Sequence, residues 1–197
     1  MKGMGRPAHI AGAALLLGAS VLLSRILGYA REMVLAYRSG ASAATDAFYA
    51  AFQLPDLLNY FLAGGALSIA FIPLYSRLRA QEGQAAADDL MASVLGTLGA
   101  LAVLATAVLY WQAEALVALQ FPRFDSETQA LTVHLTRIVL PAQVFFIAGG
   151  IVQAVLLAQQ RFLAAALAPL LYNGGIIAGG LFLAPAVGIE GFAWGAL

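Results

Sequence analysis

The sequence predicts an all-α polytopic membrane protein. Of its 197 residues 62% are hydrophobic and only 10% are charged, which is too little charge to cover a water-soluble globule. Long stretches of the sequence also separate the charged residues. A helix of about 20 residues is long enough to cross a bilayer core of roughly 30 Å. Five stretches without Lys, Arg, Asp or Glu are long enough, and we predict them as spans: 7–24, 57–76, 90–113, 138–160 and 162–189.

The composition excludes several other classes of protein. Ten Lys and Arg residues balance ten Asp and Glu residues, which is unlike a basic nucleic-acid-binding domain. Cysteine is absent and there are two histidines, so thiolate zinc sites, cysteine nucleophiles and histidine triads are not expected. We therefore expect no metal and no cofactor.

The two ends of the chain carry further signals. A sixth span begins at Gly188 and stops in apolar sequence, so we predict one transmembrane domain over 1–197 that is cut within its sixth helix. Lys2 and Arg6 before an apolar run, with small residues at 18–20, would also fit a signal peptide. Apolar sequence continues past residue 20, which favours an uncleaved first helix.

Lys and Arg near the span ends are distributed unequally. One side of the predicted topology carries Lys2, Arg6, Arg77, Arg79 and Arg161, and the other carries Arg38 and Arg123. The positive-inside rule then places the N-terminus in the cytoplasm. Since the loops are short, we expect any function to reside within the membrane or in a part of the protein beyond this sequence.

The end of the first predicted helix carries charges at positions where apolar residues would cost less free energy in a membrane. Arg25 and Glu32 are seven residues apart and share one face, while Ser24, Gly28 and Arg31 form an adjacent stripe. The arginines could extend to the lipid headgroups. Alternatively, the cluster indicates a water-filled cavity with an anionic ligand or an acidic partner.

Asp46 follows the next turn and allows two interpretations. It or Thr45 could cap the second helix, where an acidic charge is favourable. Alternatively, Asp46 could oppose Arg25 or Arg31 across a cavity and hold the arginine until a phosphate displaces it.

A straight helix from residue 43 to 79 would exceed one perpendicular crossing, so breaks are needed. Proline and glycine supply these hinges, which we expect at Pro55, Gly64, Gly65 and Pro73. Polar residues also recur along one side of this segment, and we expect this strip to line a solvent-filled groove: Asp46, Gln53, Asp56 and Tyr60. Asp56 directly after Pro55 could equally be a local cap.

Later spans contain isolated polar residues and small residues. Arg137 near a span end is typical of a residue that extends to the interface, and Gln143 is expected to bond a neighbouring helix. Asn173 gives a polar point within the fifth span. Small residues at helical spacing indicate close helix packing: Gly96, Gly99, Ala100, Gly174, Gly175, Ala178 and Gly179.

Several of these segments resemble the MurJ/MviN lipid II flippases. The matching strings, in the same order as in that family, are SRILGYAR (24–31), ATDAF (44–48), LPDLL (54–58), GALSIAFIP (65–73), RIVLP (137–141), QRF (160–162), 168–173 and GFAWG (191–195). The resemblance covers nearly the whole chain.

The resemblance implies a fourteen-helix transporter of the multidrug/oligosaccharidyl-lipid/polysaccharide exporter superfamily, of which this chain supplies most of the first lobe. The implied activity moves lipid II, the undecaprenyl-pyrophosphate-linked peptidoglycan precursor, from the inner to the outer leaflet of the bacterial cytoplasmic membrane. This transport makes and breaks no bond, so the resemblance adds the expectation of no catalytic residues. It also implies that Arg25, Arg31 and Asp46 lie in the central cavity. Membrane lipids and cell-wall synthesis proteins are the further partners that it suggests.

The chain departs from the family pattern after residue 58. Many relatives have one or two arginines and then Phe-Ala-Glu-Gly, whereas this chain has Asn59 and then Gly64 and Gly65. One cavity cation and one acid are therefore missing. Either Arg25 and Arg31 suffice together with a later arginine, or the substrate is held differently.

Two other functions are compatible with the residues. A drug or cation antiporter of the same superfamily would need a deep acid, for which Asp46 and Asp56 are the candidates. A non-transporting membrane scaffold for cell-wall assembly would use the polar strip only to hold helices or a partner.

Overall fold

The computed structural model describes residues 6–63 and 67–197, and this part of the chain is helical throughout, without strands. This confirms the predicted all-α membrane fold. The ten α-helices are α1 Arg6–Ser39, α2 Ala43–Ala51, α3 Gln53–Ala63, α4 Ile72–Gln81, α5 Gln84–Gln120, α6 Ser126–Val139, α7 Ala142–Ala158, α8 Phe162–Ala178, α9 Ala184–Val187 and α10 Glu190–Ala196. Two π-helical segments, Leu67–Phe71 and Gly179–Leu183, precede α4 and α9.

Three helical segments of the described chain are long and apolar enough to cross a membrane. They are Gln84–Gln120, Ser126–Ala158 and Ala166–Val187, and they overlap the third, fourth and fifth predicted spans. The first predicted span lies within α1, which continues as far as Ser39. The charged stretch at 24–32 is therefore helical.

Proline and glycine define the breaks between helices. Pro55 has no N–H for the carbonyl of residue 51, and the helix is interrupted at Phe52, between α2 and α3. Pro141 similarly separates α6 from α7. Gly83 begins α5 with φ of 99°, a backbone conformation that glycine adopts without strain. The predicted hinge at Gly64 and Gly65 lies outside the described residues.

The helix α6 starts with a capped first turn. The Asp125 carboxylate accepts hydrogen bonds from the Thr128 backbone N–H at 2.8 Å and from the Thr128 hydroxyl at 3.0 Å. These bonds favour the ionised carboxylate, and they hold the pKa of Asp125 below its usual range. The cap fixes the point at which the chain re-enters the helical bundle after the α5–α6 turn.

The largest buried cluster joins five helices. Leu35 of α1, Phe48 of α2, Leu135 of α6 and Phe192 of α10 are all nearly inaccessible to solvent, and Ile176 of α8 completes the contact. This cluster holds α1 beside α8, and it contacts α1 at Leu35, just after the charged stretch at 24–32.

Close packing of α8 against α10 depends on glycine. A Cβ added at Gly175 would lie 2.6 Å from the Gly195 carbonyl oxygen, and one at Gly179 would lie 2.8 Å from the Gly195 Cα. By contrast, a Cβ at Gly96 or Gly99 would meet no atom within 4 Å. The expectation of close packing is therefore confirmed at Gly175 and Gly179, whereas Gly96, Gly99 and Gly174 show no such close approach among the described residues.

Gln143 is buried in the first turn of α7, and its side-chain carbonyl oxygen has no hydrogen-bond partner among the residues that the structure describes. The expectation that the Gln143 side chain bonds a neighbouring helix therefore stays a prediction.

Candidate functional site

Five polar side chains from α1, α2 and α8 form one connected cluster, which we call the polar cluster: Ser24, Arg31, Glu32, Tyr49 and Asn173. Its members come from three separate regions of the sequence. The large buried core beneath them brings these regions together.

Arg31 is at the centre of the polar cluster. Its Nε and Nη2 atoms donate to Glu32 Oε1 at 3.1 and 2.5 Å, and its Nη1 donates to Asn173 Oδ1 at 3.4 Å. The Arg31 side chain is 28% exposed and that of Glu32 is 38% exposed. The guanidinium is therefore restrained by a carboxylate but can still be reached by solvent or a ligand.

The other carboxylate oxygen of Glu32 accepts a hydrogen bond from the Tyr49 hydroxyl, which links α1 to α2. Tyr49 is itself half exposed, and its ring contacts the buried Phe48 edge-on. Glu32 therefore has two partners, one on its own helix and one on the next.

Asn173 links α8 to α1. Its Nδ2 donates to Ser24 Oγ at 3.3 Å and to the Pro169 carbonyl at 3.0 Å, while its Oδ1 accepts from Arg31. A Cβ at Gly28 would lie 3.9 Å from Asn173 Oδ1, so this glycine borders the amide. The predicted stripe of Ser24, Gly28 and Arg31 therefore faces α8.

Arg25 lies on a different face of α1 from Arg31. It is exposed, and no side chain among the described residues forms an ion pair with it. Arg25 shares its face with Glu32, seven residues later, and Glu32 contacts Tyr49. This face of α1 therefore borders α2.

The structure does not pair Asp46 with either arginine. The cap of α2 is Ser42, whose side-chain oxygen accepts from the Thr45 N–H at 3.4 Å, so the expectation that Thr45 or Asp46 is the cap is wrong. Asp46 lies exposed in the first turn of α2 and forms no ion pair with Arg25 or Arg31 in this conformation.

The polar strip on α2 and α3 is open. Tyr49 belongs to this strip by its spacing, and its members are all exposed: Asp46, Tyr49, Gln53, Asp56 and Tyr60. Asn59 beside them is partly buried, and Pro55 is buried at the bend. The strip meets α1 where Tyr49 contacts Glu32, so α1 and α2–α3 together present one continuous polar face.

Two members of the polar cluster were not predicted as site residues. Tyr49 repeats the spacing of Asp46 and Gln53, which was the available signal. Asn173 stands 142 residues after Arg31, and only the packing of α8 on α1 brings the two together. Another anion could take the place of the Glu32 carboxylate on Arg31, because both would accept charge-assisted hydrogen bonds from the guanidinium.

The comparisons with known proteins agree on one family. A family profile described as lipid II flippase MurJ matches residues 35–197. The "Lipid II flippase MurJ" of Burkholderia cenocepacia is 37% identical over 179 residues, which cover 88% of this chain and 34% of that protein. The "Probable lipid II flippase MurJ" of Thermotoga maritima is 31% identical over 159 residues, which cover 81% of this chain and 33% of that protein.

A solved structure is also similar. "Lipid II flippase MurJ, inward closed conformation" superimposes with a TM-score of 0.76 at 29% identity, and the match covers 92% of this chain and 38% of that one. The chain thus spans about a third of the length of the curated relatives that it matches. With most of its length matched by the family profile and by these relatives, the chain belongs to the lipid II flippase MurJ family.

Proposed function

We propose that this chain forms most of the first lobe of a transporter that moves lipid II from the inner to the outer leaflet of the bacterial cytoplasmic membrane. The observation that carries the proposal is the restrained, partly accessible guanidinium of Arg31 beside the open polar strip. The family relationship supports the choice of substrate, because the relatives are named as lipid II flippases.

The mechanism follows from the charge that the polar cluster presents. In the absence of substrate, Glu32 neutralises Arg31 and keeps it in position. A pyrophosphate offers more negative charge and paired acceptor oxygens, so it can displace the single carboxylate from the guanidinium. When the cavity opens to the other side, Glu32 recaptures Arg31 and helps the product to leave.

Arg25 supplies a second cation. It is exposed and has no partner among the described side chains, so no bond must break before it can bind. Arg25 and Arg31 are six residues apart, which is roughly 9 Å along the helix. We infer that Arg25 contacts the head group at a different depth from Arg31, as a substrate that moves across the membrane requires.

The polar strip would shield the sugars during passage. Gln53, Asp56 and Asn59 offer hydrogen bonds to hydroxyl groups, while the isoprenoid tail remains in the lipid. Asp46 is at the entrance of the strip and would restrain an arginine only in another conformation. The break at Pro55 gives this side of the cavity a point at which it can bend as access alternates. The positive-inside count supports a cytoplasmic N-terminus.

Growth rescue of flippase-depleted cells tests this function. The full-length protein should rescue growth, and its Arg31→Gln variant should not. Arg31→Lys should rescue poorly, because lysine keeps the charge but cannot form the paired hydrogen bonds. Arg79→Gln, at an exposed arginine near the end of α4, is the matched control and should rescue fully. Rescue by Arg31→Gln at wild-type level would contradict the proposal.

A further inference from the structure

A second candidate binding site lies between α5 and α6, away from the polar cluster. A cavity of about 440 Å³ opens there, with Glu114 from α5 and Ser126, Gln129 and Arg137 from α6 in its wall. Its wall is partly polar and carries one charge of each sign. Nothing in the transport mechanism uses these residues.

The two charges share the cavity without neutralising each other. Among the described residues, Glu114 and Arg137 form no ion pair. Arg137 instead donates from Nε to the Tyr110 carbonyl at 3.3 Å, and its guanidinium carbon lies 5.6 Å from the centre of the Tyr110 ring. The terminal NH2 groups of Arg137 and the carboxylate oxygens of Glu114 therefore remain available for hydrogen bonds to a ligand.

An apolar cavity continues the same seam deeper into the membrane. It has a volume of about 610 Å³, and two sets of residues line it: from α5 Val103, Thr106, Ala107, Tyr110 and Trp111, and from the start of α7 Pro141, Val144 and Phe145. Successive lining residues on α5, from Val103 to Glu114, fall at helical spacing on one face. The two cavities are therefore the polar end and the apolar end of one groove, with Tyr110 between them.

The depth of the groove is marked by aromatic side chains. Tyr110 is half exposed and Trp111 is 87% exposed, and such residues are typical of the membrane–water interface. Thr106 lies about one turn deeper, and its hydroxyl oxygen is buried without a hydrogen-bond partner among the described residues. After a rotation of its side chain, that hydroxyl could donate a hydrogen bond to an ester carbonyl of a lipid bound in the apolar cavity.

The charges follow a definite order along the groove. Arg137 is level with Tyr110, directly above the apolar part, and Glu114 is four residues further along α5, roughly 6 Å nearer to water. A phospholipid with a primary ammonium group has the same order of parts: acyl chains, then phosphate, then ammonium. We infer that this groove binds a zwitterionic phospholipid of the phosphatidylethanolamine type, with its phosphate on Arg137 and its ammonium group on Glu114.

Native mass spectrometry of the purified full-length protein tests this inference. The protein is mixed with equal amounts of phosphatidylethanolamine, phosphatidylcholine and phosphatidylglycerol that carry the same acyl chains. Phosphatidylethanolamine should be retained several-fold more than the others, since only its head group offers Glu114 a positive charge together with N–H donors. Phosphatidylcholine has the charge without N–H donors, and phosphatidylglycerol has hydroxyl donors without a positive charge. Equal retention of all three lipids would overturn the inference.

Single variants separate the two charges. Arg137→Gln should lower retention of phosphatidylethanolamine by about tenfold, because a charge-assisted hydrogen bond to phosphate is lost. Glu114→Gln should reduce it to the level of phosphatidylcholine. The matched controls are Arg123→Gln and Glu127→Gln, which change exposed charges of the same region outside both cavities and should have no effect.

Exchanging the two charges distinguishes lipid binding by Glu114 and Arg137 from an ion pair that the two residues form with each other. The double variant Glu114→Arg with Arg137→Glu keeps both charges but reverses their order, so it should not retain phosphatidylethanolamine selectively. Full retention by this variant, with an unchanged melting temperature, would show that the order of charges is irrelevant and would overturn the inference. Displacement of the lipid by soluble glycerophosphoethanolamine at equal concentration would do the same, because the apolar cavity would then contribute nothing.

Discussion

At the scale of single residues, the central feature is that Arg31 has two different kinds of partner. Glu32 balances its charge, while Asn173 only orients it and ties α1 to α8. In the proposed mechanism, a substrate anion would compete with the first contact and leave the second in place. This division predicts different effects when each partner is changed.

Glu32→Gln should slow transport while it strengthens substrate binding. The variant leaves the Arg31 charge unbalanced, so a pyrophosphate binds without displacing a carboxylate and is released less readily. Growth rescue should fall severalfold, and retention of labelled substrate by the purified full-length protein should rise. Glu82→Gln, at an exposed residue in the turn between α4 and α5, is the control. Weaker substrate retention in Glu32→Gln would contradict this role.

Asn173→Ala should reduce stability as well as transport. It removes hydrogen bonds to Ser24 and Arg31, each worth about 1 kcal/mol within a membrane bundle. The melting temperature of the full-length protein should fall, whereas Leu171→Ala on the exposed side of the same helix should lower it less. A melting temperature equal to that of the wild type would show that the Asn173 bonds do not hold α1 to α8.

At the scale of helices, proline chemistry made several boundaries predictable and tertiary contact made others unpredictable. The break near Pro55 follows from its missing N–H, whatever surrounds it. Gly96 and Gly99 of α5 and Gly174 and Gly175 of α8 all lie in small-residue patterns, yet of these four only Gly175 closely approaches another helix. Which face of a helix is covered depends on partners that are remote in sequence, and a local pattern does not contain that information.

Gly175→Ala should destabilise the packing of α8 on α10. Its Cβ would approach the Gly195 carbonyl to 2.6 Å, so the helices must separate, at a cost of about 1–3 kcal/mol. Gly174→Ala is the matched control, since a Cβ there meets no atom within 4 Å. Thermal unfolding of the full-length protein should show a clear loss for the first variant and little change for the second. The reverse order would contradict the packing of α8 on α10.

At the scale of the whole molecule, the sequence was sufficient to predict the all-α fold, the family and the stripe of α1 that faces α8. It did not reveal the polar cluster, because Tyr49 joins Glu32 and Asn173 joins Arg31 only through packing, across 17 and 142 residues respectively. It also suggested a pairing of Asp46 with an arginine that this conformation does not contain. A pair that forms in only one state of a transporter cannot be assigned from residue types alone.

The length of the relatives sets a further expectation at this scale. The chain covers about a third of the relatives from Burkholderia cenocepacia and Thermotoga maritima, and a cavity between two lobes needs both walls. Residues 1–197 expressed alone should therefore insert into the membrane without rescuing flippase-depleted cells. Rescue by this segment would contradict the two-lobe account.

The central claim is that Arg31 holds the pyrophosphate during its passage across the membrane. The most direct measurement is the fraction of lipid-linked precursor that is accessible on the outer surface of cells that depend on the full-length protein. In cells that express Arg31→Gln, this fraction should fall to the level of depleted cells, while total precursor rises and the amount of membrane-inserted protein is unchanged. An accessible fraction equal to that of the wild type would contradict the account.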